Sequence, residues 1–164
     1  MRIAIVPSAP VLLPAYTGLT DPAAEMRAAA LDVVAWLGDP VRVVASDGLG
    51  RRVGEHLLGR APVDHADSVL VVADGSARRG EKAPGHLDER AFAFDAAIDT
   101  ALRQGDPAAL AVLDEALGAQ LLAAGVPAFR ALGALVGERP VRAQVDYADD
   151  PFGVQYWVVR WQCL

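Results

Sequence analysis

The sequence predicts an α/β fold: a central, mostly parallel or mixed sheet flanked by helices, with an antiparallel hairpin at the C-terminal end. Short runs rich in β-branched residues alternate with amphipathic helical repeats through the first two thirds of the chain. Such alternation builds a parallel sheet that helices cover. Two further strand patterns, at 141–147 and 154–161, close the chain with a turn between them, which predicts the hairpin.

Proline and glycine mark the first strand and the first helix. Residues 2–6 (RIAIV) predict the strand, and a proline-rich loop that begins at 7–14 ends it. Thr20 or Asp21 is expected to cap a helix that ends at Gly38. The buried stripe of this helix is predicted from its spacing to be Met26, Ala30, Val33 and Leu37.

Two more strands enclose a short helical segment. Residues 41–46 predict the second strand, 47–50 a turn, and a short helix follows to about residue 58. The apolar run at 69–73 predicts the third strand, which leads into the polar loop 74–87.

The helix after the polar loop is predicted to run from its cap, Asp88, to Gln104. Asp95, Asp99 and Arg103 are expected on its solvent face, with Asp99 and Arg103 spaced for an i,i+4 ion pair. Its buried stripe is predicted to be Ala91, Phe94, Ile98 and Leu102.

Further helices and two tryptophans fill the C-terminal part. A helix restarts at Asp106, Asp114 is expected to reset it midway, and a last helix covers 127–136. Trp157 and Trp161 lie four residues apart on the last strand, so they share a face. That face is either core or the surface of a homo-oligomer, and core is the preferred interpretation.

Length and composition favour one domain, residues 1–164, with 53% hydrophobic and 22% charged residues. The formal net charge of −6 argues against a nucleic-acid partner, because phosphate binding needs a positive surface. Cys163 is the single cysteine, which favours a reducing compartment. No apolar run approaches the roughly 20 residues of a membrane span, and no signal peptide is expected. A soluble, cytoplasmic protein without a membrane partner is predicted.

A candidate site lies where the parallel strands end. Ligands of open α/β sheets bind outside the carboxyl ends of the strands. Three loops leave such ends, at 7–14, 47–50 and 74–87, and we expect them to converge. The third loop has the highest density of polar groups. The predicted ligand-binding residues are Ser8, Asp74, Ser76, Arg78, Arg79, Lys82 and His86.

The residue types of the polar loop indicate its chemistry. Arg78, Arg79 and Lys82 predict a small anionic ligand, because guanidinium and ammonium groups pair with anions. Ser76, Lys82 and His86 are the candidate catalytic residues, with Ser76 as hydroxyl and His86 as base. In the alternative, the cations of the loop are solvated or pair with its own acids, Glu81, Asp88 and Glu89.

A dinucleotide site is the second possibility. Gly48, Gly50 and Gly54 follow a strand and enter a helix, and Asp74 ends the next strand, where a ribose-binding acid would lie. GxG alone is weak evidence in a chain with 15 glycines. The other interpretation is a turn followed by a close helix–strand contact at Gly54.

A metal site is the third possibility. The histidines are His56, His65 and His86, and none belongs to a spaced ligand motif. We therefore expect no metal and no cofactor. A site that brings two of these histidines to a carboxylate remains the alternative.

The run VADGSARRGEKAPGHLDERAFAFDAAIDTAL resembles a small actinobacterial family within the class III extradiol ring-cleavage dioxygenases, of the catalytic B-subunit type. The opening IVPSAPVLLPAY is similar to that family's first strand and loop, and the closing DYADDPFGVQYWVVRW to its terminal hairpin. The resemblance covers most of the chain, with residues 38–66 shorter than usual. It implies the α/β fold of the dioxygenase B subunit.

Working dioxygenases of this superfamily hold Fe(II) with two histidines and a glutamate, and a further histidine acts in catalysis. The resemblance places the first ligand in loop 7–10, which reads PSAP, and the catalytic histidine after Ser76, where this chain has Ala77. Neither serine nor alanine supplies an imidazole lone pair to iron. The resemblance thus implies a degenerate site. We expect a metal-free binding or regulatory protein, with an enzyme built on a different site as the alternative.

Overall fold

A five-stranded mixed sheet with helices against it forms the centre of the protein. The structure is a computed structural model that describes residues 1–14 and 20–164. The strands are β1 (Arg2–Val6), β2 (Val41–Ala45), β3 (Ser68–Val72), β4 (Val141–Asp149) and β5 (Tyr156–Cys163). The helices are α1 (Ala24–Leu37), α2 (Gly48–Leu58), α3 (Arg90–Gln104), α4 (Pro107–Ala111), α5 (Glu115–Gln120) and α6 (Val126–Val136), with a short 3₁₀ turn at Pro10–Leu12.

The sheet has the strand order β2-β3-β1-β5-β4. The first three strands in the chain are parallel, and Ile3 of β1 lies beside Val69 of β3. On its other side Ile3 lies beside Trp161 of β5, which is antiparallel. The strands β4 and β5 pair as an antiparallel hairpin with an irregularity between Val145 and Tyr147. The predicted parallel sheet and terminal hairpin are therefore confirmed, and β1 joins them.

Side chains that alternate along the strands build a core on each face of the sheet. Ile3 and Ile5 face α3, α4 and α6, whereas Ala4 and Val6 face α1 and α2. Trp157 and Trp161 are fully buried on the α3 face, and both indole N–H groups find acceptors, at Asp99 Oδ1 and the Leu102 carbonyl. The core interpretation of the two tryptophans is confirmed, and they are not a dimer surface.

The helix α3 differs from its prediction at two residues: its N-terminal cap is Glu89 and not Asp88, and Asp95 is buried. Its predicted buried stripe is confirmed, and so is the ion pair between Asp99 and Arg103, at 2.7 Å. Asp95, however, was expected on the solvent face and is only 2% exposed. The carboxylate turns inward because it accepts hydrogen bonds from Ser76, which the polar loop places beneath it.

The ends of three further helices can be compared with their predicted ends. The segment 47–50 was predicted as a turn, but α2 begins at Gly48 with Asp47 as its cap, and the Gly50 N–H donates to Asp47 Oδ1 at 2.8 Å. The helix α4 ends at Ala111, and Asp114 caps the next helix, α5, which confirms the expected break at Asp114. Gly38 ends α1 with a positive φ of 76°. The proposed loop beyond residue 14 lies partly outside the described residues. None of the helices that the structure describes combines the length and hydropathy needed to span a bilayer.

Candidate functional site

The loops that follow the three parallel strands converge, as the sequence predicts. The Ser8 N–H, two residues beyond β1, donates to Asp74 Oδ1, two residues beyond β3, at 2.6 Å. Asp47 follows β2 and caps α2 in the same region. The space between these loops is small, because a β-carbon on Gly50 would lie 3.2 Å from Ser8 Oγ. The carboxyl edge of the parallel strands thus gathers one serine and two carboxyl groups.

Asp74 has the most perturbed acidity at this edge. Its burial raises the pKa of the carboxyl to about 7, the Ser8 N–H opposes the rise, and the negative charge of Asp47 adds to it. The residue as a whole is nevertheless partly exposed, although its carboxyl group is largely buried. A carboxyl group that titrates near neutrality exists in both forms, and it can accept or donate a hydrogen bond.

Two tyrosines extend the edge from the hairpin. Burial, the charge of Asp74 and the neighbouring Tyr147 raise the pKa of Tyr156, in that order. Burial raises the pKa of Tyr147 as well, followed by the charges of Asp149 and Glu25. Both phenols therefore stay protonated at neutral pH, and within the described ranges neither hydroxyl has a hydrogen-bond partner. Below, the Asp74 site denotes Ser8, Asp47, Asp74, Tyr147 and Tyr156.

The backbone of Asp74 is fixed from behind by the start of α6. Gly125 caps that helix, and a β-carbon on it would lie 2.3 Å from the Asp74 carbonyl oxygen and 2.4 Å from the Asp74 nitrogen. The neighbouring Gly75 is equally confined, with Trp157 at 2.8 Å from its notional β-carbon. Glycine at these two positions lets the end of β3 pass between α6 and the hairpin.

The centre of the polar loop is a buried ion network. Ser76 is fully buried, and its N–H and Oγ–H both donate to Asp95, at 2.8 and 2.5 Å. Arg79 Nη1 donates to Asp95 Oδ2 at 3.1 Å, while its Nε donates to Asp150 Oδ2 at 2.6 Å. The guanidinium also stacks over Phe92, 4.8 Å from the ring centroid. Among the described residues, no buried side-chain polar atom of this network lacks a partner, which is the pattern of a structural anchor.

The other cations of the loop do not join the Asp74 site. Arg78 donates from Nε to the Gly85 carbonyl at 2.9 Å and from Nη1 to the Gln120 carbonyl at 2.8 Å. Lys82 and His86 are exposed, and His86 has a positive φ of 57° with its Nδ1 3.3 Å from the Glu81 carbonyl oxygen. Arg78 thus ties the loop to α5 and to itself.

The structure therefore brings only two of the seven predicted site residues, Ser8 and Asp74, into direct contact. Ser76 and Arg79 share Asp95, and the remaining three lie apart. The alternative prediction, in which the cations pair with Glu81, Asp88 and Glu89, does not hold for Arg79. This arginine pairs with Asp95 and Asp150, which both lie outside the loop. Both partners are remote in the sequence.

Ser76 is placed unlike a catalytic nucleophile. A nucleophile needs access to substrate and a base within hydrogen-bond reach. Ser76 is fully buried, and its proton is directed at the Asp95 carboxylate, which is itself held by Arg79. Neither Lys82 nor His86 contacts it in the part of the chain that the structure describes.

The same geometry bears on the two other predicted alternatives, a metal site and a dinucleotide site. Over residues 1–14 and 20–164, no three His, Cys, Asp or Glu side chains come close enough to hold one metal ion. At the start of α2 the Asp47 carboxylate already accepts the Gly50 N–H, where a pyrophosphate would need free amides. Gly54 lets the helix approach the sheet, since its β-carbon would lie 3.0 Å from Val72. This matches the interpretation of Gly54 as a close helix–strand contact.

Three residues of the Asp74 site are not among the residues predicted from the sequence. Asp47 follows β2 as Asp74 follows β3, and this repeated position was a usable signal. Tyr147 and Tyr156 come from the hairpin, and their approach to Asp74 depends on β5 pairing with β1. No local pattern in the sequence gives that pairing.

No protein-family model matches this chain, and a search of curated proteins likewise finds no match. The class of the protein is therefore defined by its geometry. It is an α/β protein with a mixed open sheet whose parallel strands end at an acidic, tyrosine-bordered site.

Proposed function

We propose that this protein binds a small, hydroxylated aromatic molecule at the Asp74 site, as an extradiol-dioxygenase-like protein that works without iron. One observation carries the proposal. The Asp74 carboxyl lies where three parallel strands end, belongs to a partly exposed residue, accepts only the Ser8 N–H among the described residues, and has a pKa of about 7. A strongly perturbed carboxyl group at the ligand-binding edge of an α/β sheet is typical of a functional site.

The charge of the site favours a ligand that donates hydrogen bonds. The anionic ligand predicted from the arginines loses its support, because Arg78 and Arg79 are committed to carbonyl and carboxylate oxygens. Asp47 and Asp74 instead place negative charge at the strand ends. A neutral hydroxyl group can donate a hydrogen bond to a carboxylate, and it does not meet the charge repulsion that an anion would.

Aromatic rings border the same carboxyl group. Tyr156 is close enough to Asp74 for the charge of one to raise the pKa of the other, and Tyr147 adjoins Tyr156. Phe152 packs edge-on against Tyr156 with the ring centroids 6.3 Å apart. Such rings favour a flat ligand. The resemblance to enzymes that open dihydroxylated rings supports the same ligand class.

The proposal of a protein that works without iron depends on which residues occupy the positions of the expected histidines. The resemblance expects imidazoles in loop 7–10 and directly after Ser76, and this chain has PSAP and Ala77 there. Ala77 packs against the core between the sheet and α1 and α2, so an apolar contact stands where a catalytic histidine is expected.

The test uses catechol and benzoate as matched probes, one a neutral donor of two hydrogen bonds and the other an anion. Isothermal titration is expected to detect catechol binding to the wild type and little binding of benzoate. Asp74→Asn should weaken catechol binding by roughly tenfold or more, since a charged acceptor contributes about 1.5–3 kcal/mol. Asp32→Asn, on an exposed face of α1, is the matched control and should bind like the wild type.

Two results would reject the proposal. Equal catechol binding by wild type and Asp74→Asn would show that the ligand sits elsewhere. Stoichiometric iron in the purified protein, together with oxygen-dependent ring opening of catechol, would show a working dioxygenase.

A second candidate function is an enzyme that uses Asp74 as a general acid or base. A pKa of about 7 suits that role, because both protonation states are populated at neutral pH. The same titrations distinguish the two functions if the catechol solution is analysed afterwards. Recovered, unchanged catechol supports a binding protein, and a new product whose yield falls in Asp74→Asn supports the enzyme.

A further inference from the structure

Arg42 differs from the other arginines of the chain. Across residues 1–14 and 20–164, the arginines with neither a hydrogen bond nor an ion pair are Arg42, Arg52 and Arg142. Arg52 and Arg142 are exposed, whereas Arg42 is half-buried and its Nε is fully buried without a partner. Buried N–H groups in native proteins are almost always hydrogen-bonded, and a buried cation is usually paired.

The surroundings of Arg42 form a groove. Arg42 is the second residue of the edge strand β2 and lies beside Val69 of β3. It lines a groove of about 520 Å³ together with His65, Leu135 and Arg139. This groove lies at the amino ends of the parallel strands, at the opposite end from Asp74.

The charge of the groove is positive although the protein carries a net charge of −6. Arg139 Nε and Nη2 donate to the Val136 and Leu135 carbonyls, so the last turn of α6 is capped and its negative dipole is offset. The groove is therefore lined by two guanidinium groups and one carboxylate, that of Asp67. The groove is thus an exception to the acidic surface.

We propose that this groove binds a small phosphate-bearing anion, with Arg42 as its main contact. A guanidinium group is a planar fork that matches two oxygens of one phosphate, and Arg42 has no other partner in the described chain. Arg139 and His65 line the same groove. The Asp67 carboxylate repels anions, so it disfavours a ligand whose negative charge extends along the whole groove and favours a single small anionic group, such as free phosphate or a phosphomonoester.

The experiment compares inorganic phosphate, glycerol phosphate and chloride at equal ionic strength, by isothermal titration of the intact protein. Wild type and Arg52→Gln are expected to bind phosphate, because Arg52 is an exposed, unpaired arginine that does not line the groove. Arg42→Gln should bind roughly tenfold or more weakly. Tighter binding of glycerol phosphate would identify an ester as the ligand class, and the reverse would identify free phosphate.

A gain of binding provides a second test that does not depend on how Arg42→Gln folds. Asp67→Asn removes the one acid of the groove and should strengthen phosphate binding, by roughly two- to fivefold. Equal phosphate affinity in wild type and a folded Arg42→Gln would overturn the proposal. So would wild-type binding no stronger than that of chloride, or an Asp67→Asn variant with unchanged affinity.

Discussion

Gly125 and Asp74 touch backbone to backbone: a β-carbon on Gly125 would lie 2.3 Å from the Asp74 carbonyl oxygen and 2.4 Å from the Asp74 nitrogen. The φ of Gly125 is −77°, so glycine is required there by space and not by conformation. This contact joins the start of α6 to the residue at the centre of the candidate site.

Gly125→Ala is therefore expected to destabilise the protein, because the added methyl group must displace the end of β3 or the start of α6. Overpacking against fixed backbone costs about 1–3 kcal/mol or more. Gly48→Ala is the control, since nothing lies within 4 Å of its notional β-carbon, and it should be neutral or stabilising. Chemical denaturation measures both variants. Equal free energies of unfolding for wild type and Gly125→Ala would mean that α6 does not fix Asp74.

The Ser76–Asp95 pair predicts a large effect on stability. Asp95→Ala would leave the buried N–H and hydroxyl of Ser76 without their acceptor, and Arg79 Nη1 would lose its acceptor while Arg79 Nε keeps Asp150. We expect a loss of about 3–5 kcal/mol in the free energy of unfolding. Asp95→Asn keeps an acceptor for the Ser76 N–H and should lose much less. Similar losses in the two variants would show that packing, and not hydrogen bonding, makes Asp95 important.

The pKa of Asp74 predicts a dependence of stability on pH. The folded pKa, about 7, lies above the ordinary value of about 3.9 expected in the unfolded chain. The folded state therefore binds this proton more tightly, and its stabilising contribution is full below pH about 3.9 and is lost as the pH rises to about 7. Relative to Asp74→Asn, the wild type should lose up to about 4 kcal/mol of unfolding free energy across that window.

Denaturant titrations at a series of pH values measure this difference. Asp74→Asn is the correct reference because the amide oxygen can still accept the Ser8 N–H. The raised pKa of Asp95 contributes with the same sign in both proteins and is removed by the subtraction. A difference that stays constant with pH would show that folding does not shift the pKa of Asp74.

Asp47 is predicted to act on the site through its charge. Asp47→Asn removes a negative charge that raises the pKa of Asp74, so that pKa should fall. Asparagine caps helices about as well as aspartate, so α2 should lose little stability. Nuclear magnetic resonance of the Asp74 carboxyl carbon reports the shift. An unchanged pKa in the variant would place Asp47 too far away to matter.

Much of the fold could be predicted because it follows from local patterns. The alternation in β1 and β3, the cap at Asp114 and the shared face of Trp157 and Trp161 all appear in the sequence as spacing. The convergence of the loops after the parallel strands also follows from direction alone, and it correctly placed Ser8 beside Asp74.

The contents of the polar loop could not be predicted in the same way. Charged residues at Arg78 and Arg79 look alike in a sequence whether they face a ligand or anchor a loop. Their roles are decided by Gln120, Asp95 and Asp150, which are 42, 16 and 71 residues away along the chain. Asp95 in turn follows the polar pattern of an exposed helix position, and its partners Ser76 and Arg79 make its burial favourable.

The most direct test of the account is a pH titration of the Asp74 carboxyl carbon by nuclear magnetic resonance, with and without catechol. We predict a pKa of about 7 in the free protein. Catechol should lower that pKa, because hydroxyl donors stabilise the ionised carboxylate. An ordinary pKa of about 3.9 that catechol leaves unchanged would contradict the account.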